Sequence, residues 1–417
     1  MQHHIAILHY AAPPVIGGVE SVLEQHAQLF VRAGHRVRIV AAKGGSSCTP
    51  AEFYPFPLVG SQHETILSVK RQLDQGIVPD DFGQLVETIF RQMGEAFHGV
   101  DVIIAHNVCS LHKNLPLTAA LRRFCAQPHA PKLIIWHHDF AQTSARYDGE
   151  IHAGYPWNLL NEDWPEVNPT HVVVSEPRQR DYIKVFQNPA NMARVIPSGI
   201  DLPQFLNIGD CATKLFNWMS LGHGDPIFLL PVRITRRKNL ELAIEIISEL
   251  RSHFSNPTLV ITGPPGAHNQ DNRKYLRELV DLRDCLGLTP GYSVRGSVHF
   301  MAEQFDGHLP ADVVRDFFRV ADGLLLPSFE EGFGIPMLEA GLAGIPIFAS
   351  DIPSLKAIGR QTVTWFDPDG NPTVIAEKIK ERLCGDPVFA LKKRVRREFV
   401  WEGVYEKHIA PLLECVV

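Results

Sequence analysis

Two doubly wound α/β domains in tandem are what this chain predicts, and three observations carry the prediction. Short apolar runs rich in β-branched residues alternate with helix-period segments, which implies parallel sheets covered on both faces. The alternation lapses once, near the middle, and then resumes. At 417 residues the chain is also too long for one ordinary hydrophobic core.

The first series starts at His4 to Tyr10, which runs into a turn with Pro13, Pro14, Gly17 and Gly18 and then a helical pattern from Val19 to Ala33. Arg36 to Ala42 reads as the next strand, followed by Val102 to Ala105, Leu133 to Trp136 and Val172 to Ser175. Around Leu206 to Asp225 the strand pattern lapses amid Gly209, Gly222 and Gly224, so residues 206–225 are expected to be the linker between a first domain, 1–205, and a second, 226–395. The second series is Ile227 to Val232, Thr258 to Thr262, Val298 to Met301, Gly323 to Pro327, Pro346 to Ala349 and Thr362 to Phe366. Two Rossmann-like sheets fit this better than one very large sheet.

Composition narrows the class. Hydrophobic residues make up 45% and charged residues 21%, the balance of a globular protein, and a net charge of −6 without long single-sign runs offers no nucleic-acid surface. No apolar stretch approaches the ~20 residues of a membrane helix, and Met1 to His4 lacks a signal-peptide layout, so a cytoplasmic protein is expected. Seven cysteines, at 48, 109, 125, 211, 285, 384 and 415, form no C-x-x-C pair and read as reduced packing residues.

Ligands of open parallel sheets bind beyond the carboxyl ends of the strands, so the loops there are where chemistry is sought. Gly17-Gly18-Val19-Glu20 opens a helix after the first strand; it suits a phosphate, or is simply a tight turn. Arg233, Arg236, Arg237 and Lys238 lie within six positions after the strand that opens the second series, which suits a diphosphate; a solvated basic turn is the bland alternative. Pro327-Ser328-Phe329-Glu330-Glu331-Gly332-Phe333-Gly334-Ile335-Pro336-Met337-Leu338-Glu339-Ala340 follows a strongly apolar strand. Pro336 is expected at the first helical position, with Glu331 on the loop, Glu339 in the first turn and the amides of Phe333, Gly334 and Ile335 between them. Paired carboxylates are good acceptors for vicinal hydroxyls, whereas helix capping would account for Glu339 alone. In the first domain, Trp136-His137-His138-Asp139 ends a strand, where a histidine is more often a satisfied core residue than a catalyst. The spacing offers no third or fourth metal ligand, and there is no P-loop, G-x-S-x-G or H-E-x-x-H.

Taken together these residues resemble the retaining GT-B glycosyltransferases of family four over nearly the whole chain. Glu331 and Glu339 match that group's E-x7-E signature, and Arg233 with Lys238 matches its basic pair five positions apart. Gly17-Gly18-Val19-Glu20 resembles G-G-x-E, Val174-Ser175-Glu176 resembles V-S-E, and Val195 to Asp201 resembles V-I-P-N-G-I-D with Ser198 in place of Asn. Arg396 to Trp401 resembles the helix with which these enzymes cross back onto the first domain, which implies a crossing helix over 396–417.

The resemblance implies a GT-B fold, two Rossmann-like domains facing each other across a cleft, and transfer of a hexose from a nucleotide-diphosphate sugar, UDP- or GDP-linked, to a hydroxyl acceptor. Arg233 and Lys238 would neutralise the pyrophosphate, Glu339 would hold the ribose and Glu331 the transferred sugar, the Gly17-Gly18 turn would touch the phosphates, and His138 the donor sugar, with His137 one position away. No resident cofactor or metal is expected. Lys356 stands where the group commonly has a glutamate, and Thr262-Gly263-Pro264-Pro265-Gly266 has no assigned role.

On the acceptor side, His106, Asn107, His112, Lys113 and Asn114 follow a strand end and suit a hydroxylated small molecule. Stable membrane association is not expected, because the first 150 residues are nearly charge-balanced and Ile66 to Leu73, with Lys70 and Arg71, reads as an ordinary surface helix. A nucleotide-sugar epimerase and a non-catalytic nucleotide-sugar binder share the fold; the full set of Arg233, Lys238, Glu331 and Glu339 argues against the second.

Overall fold

The structure, a computed structural model, describes residues 2–45, 50–187, 191–266, 271–291, 295–305 and 307–416. It divides into two compact units, Met1–Gly199 with Trp401–Val417, and Ile200–Val400.

The first unit is built on a parallel sheet of β1 (His4–Leu8), β2 (Arg36–Ala41), β3 (Glu52–Pro55), β4 (Val102–His106), β5 (Lys132–His137), β6 (Thr170–Val173) and β7 (Arg194–Val195), in the order β3-β2-β1-β4-β5-β6-β7. Its strands are apolar on both faces because both are covered. Ala6, Leu8, Val40, Ile103 and Ile135 pack under the helices Glu64–Leu73, Phe82–Ala96 and Leu115–Cys125. Ile5, Ile7, Ile39, Ile104 and Trp136 pack against the helix Gly18–Arg32 and the carboxyl-terminal Trp401, Val404, Leu412 and Leu413. The edge strands β3 and β7 carry no apolar run of their own and escape the sequence pattern; β3 reads only Glu-Phe-Tyr-Pro.

The second unit repeats the plan with β8 (Ile227–Leu230), β9 (Thr258–Ile261), β10 (Ser297–Phe300), β11 (Gly323–Leu326), β12 (Ile347–Ser350) and β13 (Thr364–Phe366), all parallel, in the order β10-β9-β8-β11-β12-β13. In each sheet the first strand is central and the fourth crosses to its other side. The loops after these two strands therefore diverge and leave a crevice at the carboxyl ends.

The boundary differs from the expected linker at 206–225. The chain leaves the first unit after Gly199 and returns after Val400. Residues 210–218 form a helix whose Ala212, Leu215 and Phe216, followed by Met219, are buried in the second unit's core, and Gly209 donates its amide to Asp316 Oδ2 at 2.9 Å. The glycines there mark a helix start and the turn into β8 rather than a tether. The helix Pro387–Glu398 also stays with the second unit, where buried Arg396 grips Asp322 at 2.8 and 2.5 Å. Trp401, by contrast, is plugged into the first unit, its ring against Gly199, where a Cβ would lie 2.6 Å from Cδ2.

Six cysteines are free thiols, as expected; Cys48 lies outside the described residues. No helix among the described residues is long and apolar enough to cross a membrane.

Candidate functional site

In the second unit the crevice between β8 and β11 joins the two strongest sequence motifs. The β8 loop turns back through Asn239, whose positive φ of 51° ends a short 3-10 turn at Arg236–Lys238, and the helix Leu240–Leu250 follows. The β11 loop ends at Gly334, at φ 100°, and the helix Ile335–Ala343 starts there, with Pro336 as its second rather than first residue. A Cβ on Gly334 would also lie 2.5 Å from Leu355 Cδ2, so conformation and space both require glycine.

The two loops are stitched together. Phe329 donates its amide to Arg237 O at 2.9 Å, Arg237 donates to Glu330 O at 3.2 Å, and Lys238 Nζ meets Glu331 Oε1 at 2.5 Å. Ser328 Oγ donates to the same Glu331 oxygen at 2.8 Å. The side chains of Lys238 and Glu331 are only 8% and 9% exposed. Burial lowers the Lys238 ammonium from its ordinary pKa, against the opposing pull of Glu331.

The four cations of the loop are not equivalent. Arg236 is engaged inside its own unit, paired with Glu278 at 2.5 Å and stacked over the Tyr275 ring at 4.6 Å, and Arg237 serves the neighbouring loop. Arg233 is exposed and makes no hydrogen bond or ion pair among the described residues, which leaves its guanidinium available to a ligand. The amides of Phe333, Gly334 and Ile335 likewise find no acceptor among the described residues and stand at a helix start, an arrangement that favours an anion. Glu339 is exposed and is the fifth residue of the helix, just past the first turn where it was expected. Lys356, at the position of the missing glutamate, pairs with Asp351 at 2.8 Å.

The Thr262-Gly263-Pro264-Pro265-Gly266 stretch, which no sequence argument placed, braces the Arg233 loop. Ile234 donates to Pro264 O at 3.0 Å and Gly266 to Ile234 O at 3.3 Å. A Cβ on Gly263 would sit 1.9 Å from Val232 O and 2.8 Å from Arg233 N. Gly263→Ala must therefore push the Arg233 backbone aside, at an expected cost of about 1–3 kcal/mol, with weaker donor binding. A melt and a donor titration check this; wild-type values in both would dismiss the bracing role.

In the first unit, the loops after β1, β4 and β5 gather a histidine cluster. His137 is a core residue, held by Ser110 Oγ at 2.6 Å and by His171 Nδ1 at 2.9 Å. His138, half-buried at the strand end, is the more accessible of the two; its Nε2 lies 3.0 Å from His106 Nδ1.

Two acceptor-side expectations are corrected here. His106 is fully buried against His26 and Trp136, and Asn107 spends its side-chain oxygen on the amides of His138, at 2.8 Å, and Asp139, at 3.3 Å. Both shape the strand-end loop and neither is open to an acceptor. His112 and Asn114 are also committed: His112 Nε2 contacts Glu150 at 2.5 Å, and Asn114 caps the helix Leu115–Cys125 while donating to Leu58 and Val59 carbonyls. Lys113 alone of these five is only half-buried, and it has no carboxylate partner among the described residues. A strand-end position cannot by itself distinguish a buried side chain from an open one.

The Gly17-Gly18 turn starts its helix as expected, with Gly17 as N-cap. Glu20 folds back over Gly17, where a Cβ would meet its Oε2 at 2.1 Å, and lies 3.8 Å from His9 Nε2. Asp74, His112 and Glu150 bring three potential ligand atoms within 4.8 Å of one another, a cluster that the sequence spacing did not reveal. Lys70 already offsets part of its charge, with contacts of 2.6 Å to Asp74 and 3.2 Å to Glu150.

Burial lowers the pKa of His26 to about 3 and those of His138 and His171 to about 4, and it moves His106 and His137 the same way. These rings are neutral in the folded state, while the unfolded chain takes up protons near pH 6.5. Their stabilising contribution is complete above pH 6.5 and is lost as pH falls toward 4, on the order of 1 kcal/mol each at pH 5.5. The melting temperature is expected to drop steadily from pH 7 to 5; a flat profile would contradict this.

Two Rossmann-like units, each built on an all-parallel sheet, fit the GT-B class of glycosyltransferases, and the family matches support that class. The model described as Glycosyltransferase Family 4 matches residues 16–204 and that described as Glycosyl transferases group 1 matches residues 219–397, together most of the chain. The chain belongs to glycosyltransferase family four. It is 26% identical over 374 residues to the mannosylglucosylglycerate synthase of Petrotoga mobilis, covering 84% of this chain and 83% of that one. It is 24% identical over 394 residues to the Thermotoga maritima protein of the same name, covering 87% and 85%. With the D-inositol 3-phosphate glycosyltransferase of Nocardia farcinica the identity is 25% over 252 residues, covering 56% and 51%.

Proposed function

We propose that this glycosyltransferase moves a hexose from a nucleotide-diphosphate sugar, UDP- or GDP-linked, to a hydroxyl of a small soluble acceptor, with retention of the anomeric configuration. The observation that carries the donor reading is the meeting of Lys238 and Glu331 at the second switch point, in the loop that also carries Arg233, which is unpaired among the described residues. Arg233 and Lys238 offset the charge that develops on the departing diphosphate, the amides of Phe333, Gly334 and Ile335 hold phosphate or sugar oxygens, and Glu339 binds the ribose. Glu331, whose carboxylate is oriented by Lys238 and Ser328, accepts from the sugar hydroxyls. His138 of the first unit is neutral at physiological pH. The names of the relatives support a small hydroxylated acceptor.

A thermal-shift panel of UDP, GDP and ADP with their sugars identifies the donor, since a specific ligand raises the melting temperature by mass action. Turnover is then followed with and without acceptor. An epimer formed from donor alone would replace this reading by an epimerase, and binding without turnover would replace it by a binding module. Because two cations can offset the leaving group, turnover is expected to survive EDTA; complete, magnesium-reversible loss would overturn that expectation. Proton NMR of the first-formed product is expected to show the donor's anomeric configuration, and inversion would refute retention.

A further inference from the structure

The tripeptide His112-Lys113-Asn114 holds its middle residue at a fixed place beyond β4. His112 is anchored to Glu150, and Asn114 is bonded on one side to Leu58 and Val59 and on the other to the helix it caps. Lys113 lies between these two anchors with little backbone freedom. Its Nζ is 5.9 Å from the centre of the buried Tyr10 ring, the side chain is half-buried, and no carboxylate among the described residues is within ion-pair distance. Several other basic groups of this unit are paired: Lys70 with Asp74 and Glu150, Arg38 with Glu52, Arg122 with Glu162 and Glu166, and Arg123 with Glu87. Lys43 and Lys132, which have no ion pair among the described residues, are exposed rather than half-buried. Lys113 also lies close enough to His9 that, after burial, its charge helps hold that imidazole neutral. Glu20 lies 3.8 Å from His9 Nε2 and is not within ion-pair distance of Lys113.

A partly desolvated cation without a counter-ion is costly, and an anionic ligand group recovers that cost. We propose that Lys113 anchors a carboxylate or phosphate carried by the acceptor, so that the enzyme glycosylates acidic hydroxylated molecules in preference to their neutral counterparts. This rests on the transferase reading above and adds the acceptor's chemical class to it.

The test uses the full chain with its identified donor and two matched acceptor pairs, D-glycerate against glycerol and myo-inositol 1-phosphate against myo-inositol. At least one acidic member is expected to exceed its neutral partner in kcat/KM by ~10-fold or more, and which one it is separates carboxylate from phosphate. Lys113→Ala is expected to bring the acidic acceptor down to its neutral partner's level mainly through KM, and Lys113→Arg to restore part of the preference. Equal use of both members of each pair, or an Ala variant that keeps the preference, would overturn the anchor. So would donor turnover that no acidic acceptor stimulates. Absence of donor turnover under every condition would instead overturn the transferase reading beneath it.

Discussion

Arg233→Ala is expected to lower donor kcat/KM by at least ~100-fold, because a charge-assisted contact to the departing diphosphate is worth ~3 kcal/mol in the transition state. The protein is expected to melt with the wild type, since the Arg233 side chain is exposed and has no partner among the described residues. Lys238→Ala is expected to lose as much activity and to lose stability as well. It leaves the Glu331 carboxylate buried without its cation, and breaking such a pair costs about 3–5 kcal/mol. The two variants thus separate ligand binding from folding. Steady-state kinetics with a melt of each decides the matter, and a loss of less than about threefold for Arg233→Ala would remove it from the phosphate site.

Glu331 and Glu339 are expected to fail in different ways. Glu331→Gln keeps the shape that Ser328 and Lys238 pack against but removes the charge, and a loss of roughly 100-fold in kcat is expected with little change in nucleoside-diphosphate affinity. Glu339→Ala is expected to weaken nucleotide binding about tenfold, the worth of one charge-assisted hydrogen bond, while kcat changes less. Calorimetric titration with the nucleoside diphosphate, beside turnover, distinguishes the two. Equal loss of nucleotide affinity in both variants would show that the roles are divided wrongly.

The sequence by itself determined the alternation of strands and helices, the presence of two sheets, and the loops that carry Arg233, Lys238, Glu331 and Glu339. Those features are local: strands covered on both faces must be continuous apolar runs, and Gly334 and Pro336 mark their helix start through backbone geometry alone. Only the tertiary structure decided which charges have partners. It set Lys238 against Glu331 and Arg236 against Glu278, and it left Arg233 and Lys113 without an ion pair among the described residues, because ion pairing depends on segments adjacent in the fold but distant in the chain. It likewise turned His106 and Asn107 inward, attached residues 210–218 to the second unit, and showed that Gly263 is small because Val232 O lies behind it. Burial and close approach arise where separate segments meet, and a linear pattern holds no record of that meeting.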